Sequence, residues 1–416
     1  MIDVLFYNLG VGLYATGIQV ASAFKPKAKL FVDGRHGLQN QIRQKLANEK
    51  RLRIWVHCAS LGEFEQGRPV IEALRSTYPG YAIVLTFFSP SGYEVRKNYD
   101  GADHIFYLPV DSAANAKWFL DLVHPSVAVF VKYELWYHYL KALNDRRIPT
   151  LLISAIFNKD HGFFKWYGGL QRKMLGMFTS IIVQDNDSKE LLSGIGINNV
   201  LVGGDTRFDR VVAAAVQQSA LPVIDTFGAG HKLLVAGSTW SADEEMLKCA
   251  MAQLPANWKL VLVPHEVDDA HIAAIEKMFG SDVVKWSTWD NKLADKRVLL
   301  VDKIGLLLQL YSYGNAAFIG GGFGKEGVHN VLEAAVYGIP CAYGPVYHKF
   351  REAEELIAVG GATGINNDKE LSQWIARYNN DAEAAAAGKA GKDYVMSKQG
   401  ATEKVLHVLQ PFITNK

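Results

Sequence analysis

The chain is poor in cysteine. Its three, Cys58, Cys249 and Cys341, lie far apart in 416 residues. They form no metal-ligand spacing and no disulfide framework, so a reducing compartment is expected. Familiar nucleotide and metal motifs are also missing. No GxGxxG follows the first apolar run, where Leu61-Gly62-Glu63 stands instead, and there is no Walker A, HExxH or CxxC motif. No dinucleotide fingerprint, P-loop or dedicated metal site is evident. Net charge is only +2, which gives no overall bias toward nucleic acid.

That small net charge hides an uneven distribution. Residues 25–53 carry Lys25, Lys27, Lys29, Arg35, Arg43, Lys45, Lys50, Arg51 and Arg53 against Asp33 and Glu49. The segment ahead of them, residues 2–24, has Asp3 as its only charge. It is long enough to span a bilayer or lie in one, although Asn8, Gln19 and three glycines weaken it. Three readings are open: a membrane anchor, a helix docked on the protein, or a signal peptide with Ala21-Ser22-Ala23 as its cleavage site. No Lys or Arg precedes the apolar run, as a secretory signal would require. An anchor followed by positive charge puts residue 25 onward in the cytoplasm, where the basic stretch can meet anionic headgroups.

From residue 54 short apolar runs alternate with amphipathic stretches. Strands are expected at Ile54–Cys58, Ala82–Phe87, Ile105–Leu108, Val127–Val131, Thr150–Ser154, Ile181–Gln184 and Val200–Gly203. Residues 211–231 lack clear periodicity and read as a linker. Alternation restarts with Leu233–Gly237, Leu260–Val263, Val298–Val301, Ala316–Ile319 and Cys341–Tyr343. Two α/β domains with parallel sheets follow, with ligands expected at the carboxyl ends of the strands and between the domains. The tail Glu370–Gln410 reads as helical.

The richest stretch is Ala316–Pro345. A strand ends in Gly320, Gly321 and Gly322, followed by Gly324, Gly327 and His329-Asn330. A helix is expected over Val331–Tyr337, with Asn330 as N-cap. Strand, glycine loop and helix start suggest an anion site. Glu333 in the first turn either accepts two ribose hydroxyls or complements the helix dipole. Three more strand ends should share that edge: Gly237-Ser238-Thr239, Pro264-His265-Glu266 and Asp302-Lys303-Ile304-Gly305, with Asp302 as an N-cap. Backbone groups near Ile304–Leu306 can read a base edge, and His265 can donate to a phosphate or serve structure alone.

In the first half, Glu63 follows Ser60 and Gly62 at a strand end. Pro69 suggests that regular helix begins only near it. Glu63 is either a general base or a helix-start carboxylate. Lys132 and Glu134 leave another strand as a functional pair or a solvated loop ion pair. Arg207 either reaches an anion or is a surface residue.

The ordered series of segments resembles the 3-deoxy-D-manno-octulosonic acid (Kdo) transferases of lipopolysaccharide synthesis. The likeness runs through the anchor with its basic flank, S-x-G-E at Ser60–Glu63, S-P-S-G at Ser89–Gly92 and E-L-W at Glu134–Trp136. It continues through R-F-D at Arg207–Asp209, A-G-S-T at Ala236–Thr239, H-N-x-L-E at His329–Glu333, Gly344-Pro345 and F-R-E at Phe350–Glu352. The resemblance implies an α/β GT-B glycosyltransferase fold. Two Rossmann-like domains, 25–215 for the acceptor and 216–395 for the donor, would face each other across a cleft. A membrane-anchor helix 1–24 would precede them, and a helix at 396–416 would pack back on the first domain.

It further implies inverting transfer from CMP-Kdo to a lipid A precursor at the inner membrane, on the cytoplasmic face, with no cofactor and no metal. Glu63 would be the base, with Glu134 and Arg207 supporting the transition state. The donor would meet Ser238, Thr239, Pro264, His265, Ile304, Gly305, Leu306, Gly321, Gly322, His329, Asn330, Val331, Leu332 and Glu333. On the acceptor side stand Ser60, Gly62, Ser89 and Lys132. Lys132, Ile156 and His265 depart from the family pattern, where Glu, Arg and Arg are usual. The rival readings are a GT-B-like nucleotide-sugar epimerase and a non-catalytic, membrane-docked nucleotide-sugar binding protein.

Overall fold

Runs rich in Val, Ile, Leu and Phe are continuous rather than alternating, as strands covered on both faces require. In the computed structural model, which describes residues 2–216 and 219–413, these runs form two parallel seven-stranded sheets. The first holds β1 (Leu52–Cys58), β2 (Tyr81–Phe87), β3 (His104–Tyr107), β4 (Pro125–Val131), β5 (Thr150–Ala155), β6 (Ser180–Val183) and β7 (Val200–Val202). Its order is β3-β2-β1-β4-β5-β6-β7. The second holds β8 (Lys232–Thr239), β9 (Trp258–Pro264), β10 (Val283–Lys285), β11 (Val298–Leu300), β12 (Ala316–Ile319), β13 (Cys341–Tyr343) and β14 (Ala362–Gly364). Its order is β10-β11-β9-β8-β12-β13-β14. Two strands were not expected from sequence, β10 and β14. Each is three residues long and stands at a sheet edge, where a strand needs no long apolar run.

The chain divides into two compact units, Met1–Asp209 with Gln399–Lys416, and Arg210–Lys398. In the first unit Trp55 lies fully buried on β1 among Phe119, Phe130 and Tyr139. The other face of that sheet buries Val56, Cys58, Phe64 and Val70 together with Val405, Leu409 and Ile413 from the chain's end. The helix Ala401–Leu409 is tied there by Asp209, whose carboxylate accepts from Gly400 N at 2.5 Å and Thr402 N at 2.6 Å. The Asp of the R-F-D stretch is thus a helix cap. In the second unit Trp258 occupies the corresponding place on β9, packed with Leu234, Leu260 and Phe318.

Several expectations are corrected. The helix after β1 starts at Leu61 and runs to Thr77, with Pro69 inside it. Ser60 and Glu63 form a capping box that fixes the start, and Pro69 costs one backbone hydrogen bond without ending the helix. Gly67 lets this helix lie close to the sheet, since a Cβ there would meet Cys58 Sγ at 2.8 Å. The stretch 211–231 read as a linker holds the end of the helix Thr206–Val216 and the helix Pro222–Phe227, the second opened by proline; Gln217 and Gln218 lie outside the described residues. The helix after the glycine loop is only Leu332–Ala335. Asp302 caps no helix: its carboxylate accepts from the backbone N–H and hydroxyl of Ser287.

The helix Ile2–Ala21 is not a free appendage. Val4 and Tyr7 pack against the first unit's core, as the reading of a helix docked on the protein requires.

Candidate functional site

In the first unit β2, β1, β4 and β5 are neighbours and parallel. Their carboxyl ends therefore deliver Ser89, Ser60–Glu63, Lys132–Glu134 and Ser154–Ile156 to one edge. Glu63 Oε2 accepts from Ser60 N at 2.9 Å and from the Ser60 hydroxyl. Both bonds use the same carboxylate oxygen. Gly62 is exposed beside it. A Cβ there would come no nearer than 3.8 Å to Ser60 Oγ, so packing does not require that glycine. Ser89 caps the helix Pro90–Arg96, and its N–H bonds Ala59 O at 2.7 Å, which holds the two loops together.

Glu134 ends a buried polar chain that the sequence did not reveal. Its Oε2 accepts from Trp136 Nε1 at 2.7 Å and lies 3.3 Å from His57 Nε2. His57 is fully buried, and its Nδ1 sits 2.9 Å from Thr86 Oγ1 and 3.1 Å from Thr86 O. Trp55 Nε1 donates to the same Thr86 hydroxyl at 2.8 Å. His57 thus links Thr86 to Glu134 through its two ring nitrogens. Cys58 stands close to both acids: burial pushes its thiol well up, and Glu63 and Glu134 add to the rise.

Lys132 and Ser154, at the ends of adjacent strands, both have left-handed backbones, with φ of 63° and 53°. Such strain in non-glycine residues collects at functional sites. Ser154 Oγ meets Thr206 Oγ1 at 3.1 Å, and Thr206 donates to Gln66 O at 2.5 Å. Arg207 is not a loose surface side chain. Its Nε and Nη2 donate to Asp205 Oδ2 at 2.8 and 2.6 Å, with Asp205 buried.

The second unit repeats the logic. β11, β9, β8 and β12 are adjacent and parallel, so Ile304–Leu306, Pro264-His265, Ser238-Thr239 and Gly320–Gly322 leave one edge. Ser238 has φ 54°. His265 and His329 stack with ring centroids 4.5 Å apart and planes within 7°. Trp240, a residue not singled out from sequence, lies against His265 and donates from Nε1 to His329 Nε2 at 3.0 Å. Burial lowers both imidazoles, and His265 helps push His329 down to about 4. Both rings are therefore neutral near pH 7. NMR titration of His329 should give a midpoint near 4 in the free protein, and an upward move when CMP binds. A midpoint near 6.5 would mean that the stack does not form.

The glycine loop serves packing first. A Cβ on Gly320 would lie 2.3 Å from Ser238 O, and one on Gly322 would lie 2.5 Å from Gly344 N. Gly321 N donates to Asp243 Oδ2 at 2.8 Å, and Trp240 N to the same oxygen at 2.9 Å. Asp243 is nearly fully buried, and burial raises its carboxyl despite these donors. The expected anion nest thus already holds a carboxylate of the chain itself, and the four-residue helix beyond it supplies little dipole.

Asn330 Oδ1 accepts from Leu332 N at 3.2 Å and its amide donates to Glu333 Oε1 at 3.1 Å, but the cap position of the helix is Val331, one residue later than expected. Glu333 is half-buried. Burial raises its carboxyl, against the opposing pull of Arg210 and Asn330. Arg210 is the charge that sequence reading missed; burial lowers it and Glu333 raises it. Ile304 is 83% exposed and Gly305 has φ 91°, so this loop presents backbone to solvent.

A family model described as 3-deoxy-D-manno-octulosonic-acid transferase (kdotransferase) matches residues 32–210. The 3-deoxy-D-manno-octulosonic acid transferase of Aquifex aeolicus is 31% identical over 328 residues, 76% of this chain and 83% of that one. The chain belongs to the Kdo transferase family. Among solved structures, the UDP-GlcNAc 2-epimerase of Neisseria meningitidis bound to UDP-GlcNAc aligns with TM-score 0.61 at 14% identity, covering 86% of this chain and 99% of that one. A glycosyltransferase from Rickettsia africae aligns with TM-score 0.53 at 11% identity, covering 88% and 100%. These two likenesses show the fold, a GT-B fold with two Rossmann-like units.

Within this Kdo transferase the motifs divide by what they touch. Ser60, Glu63, Ser89, Lys132 and Glu134 meet at one edge of the first sheet. Arg207 follows β7, farther along that sheet, and is fixed by Asp205. Gly92 of the S-P-S-G stretch exists for Phe87, whose ring would lie 2.3 Å from a Cβ there. Ile156, one departure from the family pattern, contributes its carbonyl to the Tyr133 hydroxyl. His265, another, is half of the imidazole stack.

Proposed function

We propose that this Kdo transferase moves Kdo from CMP-Kdo to a lipid A precursor at the cytoplasmic face of the inner membrane, with inversion. The first unit takes the acceptor and the second unit the donor. The observation that carries the reading is Glu63 at the carboxyl end of β1, with Oε1 outside its two capping bonds. That oxygen takes the proton of the acceptor hydroxyl. The hydroxyl oxygen attacks the anomeric carbon, and the bond from that carbon to the phosphate oxygen breaks with its electrons leaving on CMP. General-base assistance contributes roughly 10²–10⁴-fold, and holding both reactants together contributes more.

Glu134, beside His57, and Arg207 on Asp205 stabilise charge in the transition state. On the donor side, Ser238, Thr239, Pro264 and His265 lie toward the phosphate with the neutral His329. The backbone of Ile304, Gly305 and Leu306 reads the cytosine, and Asn330–Glu333 hold the ribose. Gly321 lies close to Gly327 and His329, and Gly322 holds the loop against Gly344 after β13. A neutral imidazole donates a hydrogen bond to phosphate without a fixed charge.

CMP is a monophosphate, so no diphosphate-bridging ion is needed. Transfer should survive EDTA. Its loss under chelation, with recovery on adding magnesium or manganese, would overturn this part of the mechanism.

The test of function is incubation with CMP-Kdo and a tetraacylated lipid A precursor, followed by mass spectrometry of the lipid. Lipid carrying one or more Kdo residues supports the reading. Unmodified lipid with an altered nucleotide sugar would favour an epimerase, whose fold this chain shares. Unmodified lipid and intact CMP-Kdo would favour a binding protein.

A further inference from the structure

The helix Ile2–Ala21 is 20 residues long and apolar enough to cross a membrane. Its contacts point elsewhere. Val4, Tyr7, Val11, Ala15 and Ile18 are half-covered. Their spacing of three and four residues makes one stripe along nearly the whole helix. Tyr7 donates to the buried Asp111 at 2.7 Å, and its oxygen accepts from Tyr137 N at 3.2 Å. Asn8 Oδ1 meets His138 Nε2 at 2.6 Å. Tyr14 packs against Phe31 and Phe88. These contacts lie within the first unit. The opposite stripe, Ile2, Phe6, Leu9, Leu13 and Val20, is 57–69% exposed. A helix that is apolar all round is thus covered by protein on one side only, and its other side needs an apolar medium.

A crossing helix would span about 30 Å of hydrocarbon. Because this one is docked from Val4 to Ile18, crossing would drag Asp111, His138 and their surroundings into the bilayer. Ionisable groups there are costly. A second feature lies next to it. The helix Gly169–Leu175 packs beside Ile2–Ala21, and Arg172 on it donates to Phe163 O and Lys165 O, both at 2.9 Å. The loop so held presents Trp166, 91% exposed, and Tyr167, 59% exposed. Trp and Tyr favour the headgroup level of a membrane. Lys25, Lys27 and Lys29 are exposed just after the helix Ile2–Ala21, and Lys173 is exposed on Gly169–Leu175, which suits anionic lipid.

We propose that the first unit docks on an anionic bilayer with the helix Ile2–Ala21 lying in the plane of the interface. The stripe from Ile2 to Val20 faces the acyl chains, and Trp166-Tyr167 is a second contact at headgroup depth. The choice of a bilayer over a protein partner rests on the lipid acceptor proposed above. The orientation rests on the docked stripe alone.

The test uses the full chain carrying Cys249→Ser, with Ile2→Cys, Leu9→Cys or Val20→Cys labelled by a fluorophore. Binding is to vesicles of phosphatidylglycerol and phosphatidylethanolamine that contain lipids with nitroxides at graded depths. Three similar, shallow depths are expected. A mid-bilayer position for residue 9, with residue 2 reachable from the far side, would overturn the proposal. Replacing Trp166 and Tyr167 by Ala should weaken vesicle affinity by at least about fivefold without changing CMP binding; unchanged affinity would remove the second contact. Absence of vesicle binding, with a concentration-dependent dimer broken by Leu9→Glu, would make the stripe a protein interface and also overturn it. Shallow depths in a chain that transfers no Kdo would sink the functional reading and leave this one standing. Transfer to detergent-dispersed acceptor by a chain whose helix spans would do the reverse.

Discussion

Glu63→Gln should lose transfer by about 10²–10⁴-fold while CMP affinity stays within about twofold of wild type. The side-chain amide keeps an oxygen that can accept from Ser60 N, so the start of the helix Leu61–Thr77 should survive. What disappears is the basic oxygen that receives the acceptor proton. The competing account is purely structural, because Glu63 completes a capping box. A cap is worth about 1 kcal/mol of stability, and its loss would lower the melting temperature without slowing turnover of the folded fraction. The two accounts separate cleanly. Glu63→Gln with a normal melting transition and a lost rate identifies the base; a lowered transition with a normal rate identifies a cap. Because CMP is assigned to the second unit, its affinity is the internal control.

That ambiguity was written into the sequence, and it shows what sequence can carry. The continuous apolar runs and the glycines after them placed twelve strands and the loops at their ends, because burial on both faces leaves a compositional trace. The signature Ser60-x-x-Glu63 also announces a helix start, and it outweighs Pro69. A proline removes one hydrogen bond, whereas a capping box supplies two at the terminus that needs them.

Partners distant in sequence left no such trace. His57, Thr86 and Trp55 reach Glu134 only because β1, β2 and β4 lie side by side. Trp240 and Asp243 reach His329 and Gly321 because β8 lies next to β12. Arg210 stands just ahead of the stretch 211–231, where Ala-rich helix without strong periodicity resembles loop in composition. The glycines were legible as a close approach, but what approaches is the chain's own backbone and the Asp243 carboxylate. The exposed Trp166 and Tyr167 were present in the sequence, but nothing local separates a surface aromatic from a core one.

Glu333→Ala should weaken CMP binding by about 10- to 150-fold, the equivalent of losing charge-assisted hydrogen bonds worth about 1.5–3 kcal/mol. The half-buried carboxylate, flanked by Asn330 and Arg210, is costly to hold charged, and burial raises its proton affinity. Two ribose hydroxyls would stabilise the charged form. Removing the side chain also perturbs Arg210, so a drop in affinity alone does not identify the contact.

A double cycle does. CMP and 2′-deoxy-CMP are titrated by calorimetry against wild type and Glu333→Ala. If Glu333 reads the ribose, wild type binds the deoxy ligand more weakly, and the variant hardly distinguishes the two. Equal discrimination in both proteins would return Glu333 to an electrostatic partner of Arg210. Cytidine extends the argument by removing the phosphate and with it the His265–His329 stack. As pH falls through the raised carboxyl value, protonated Glu333 loses its acceptor role. Cytidine affinity should therefore drop on acidification in wild type and stay level in Glu333→Ala. A level profile in both would show that the carboxylate and the ribose do not meet.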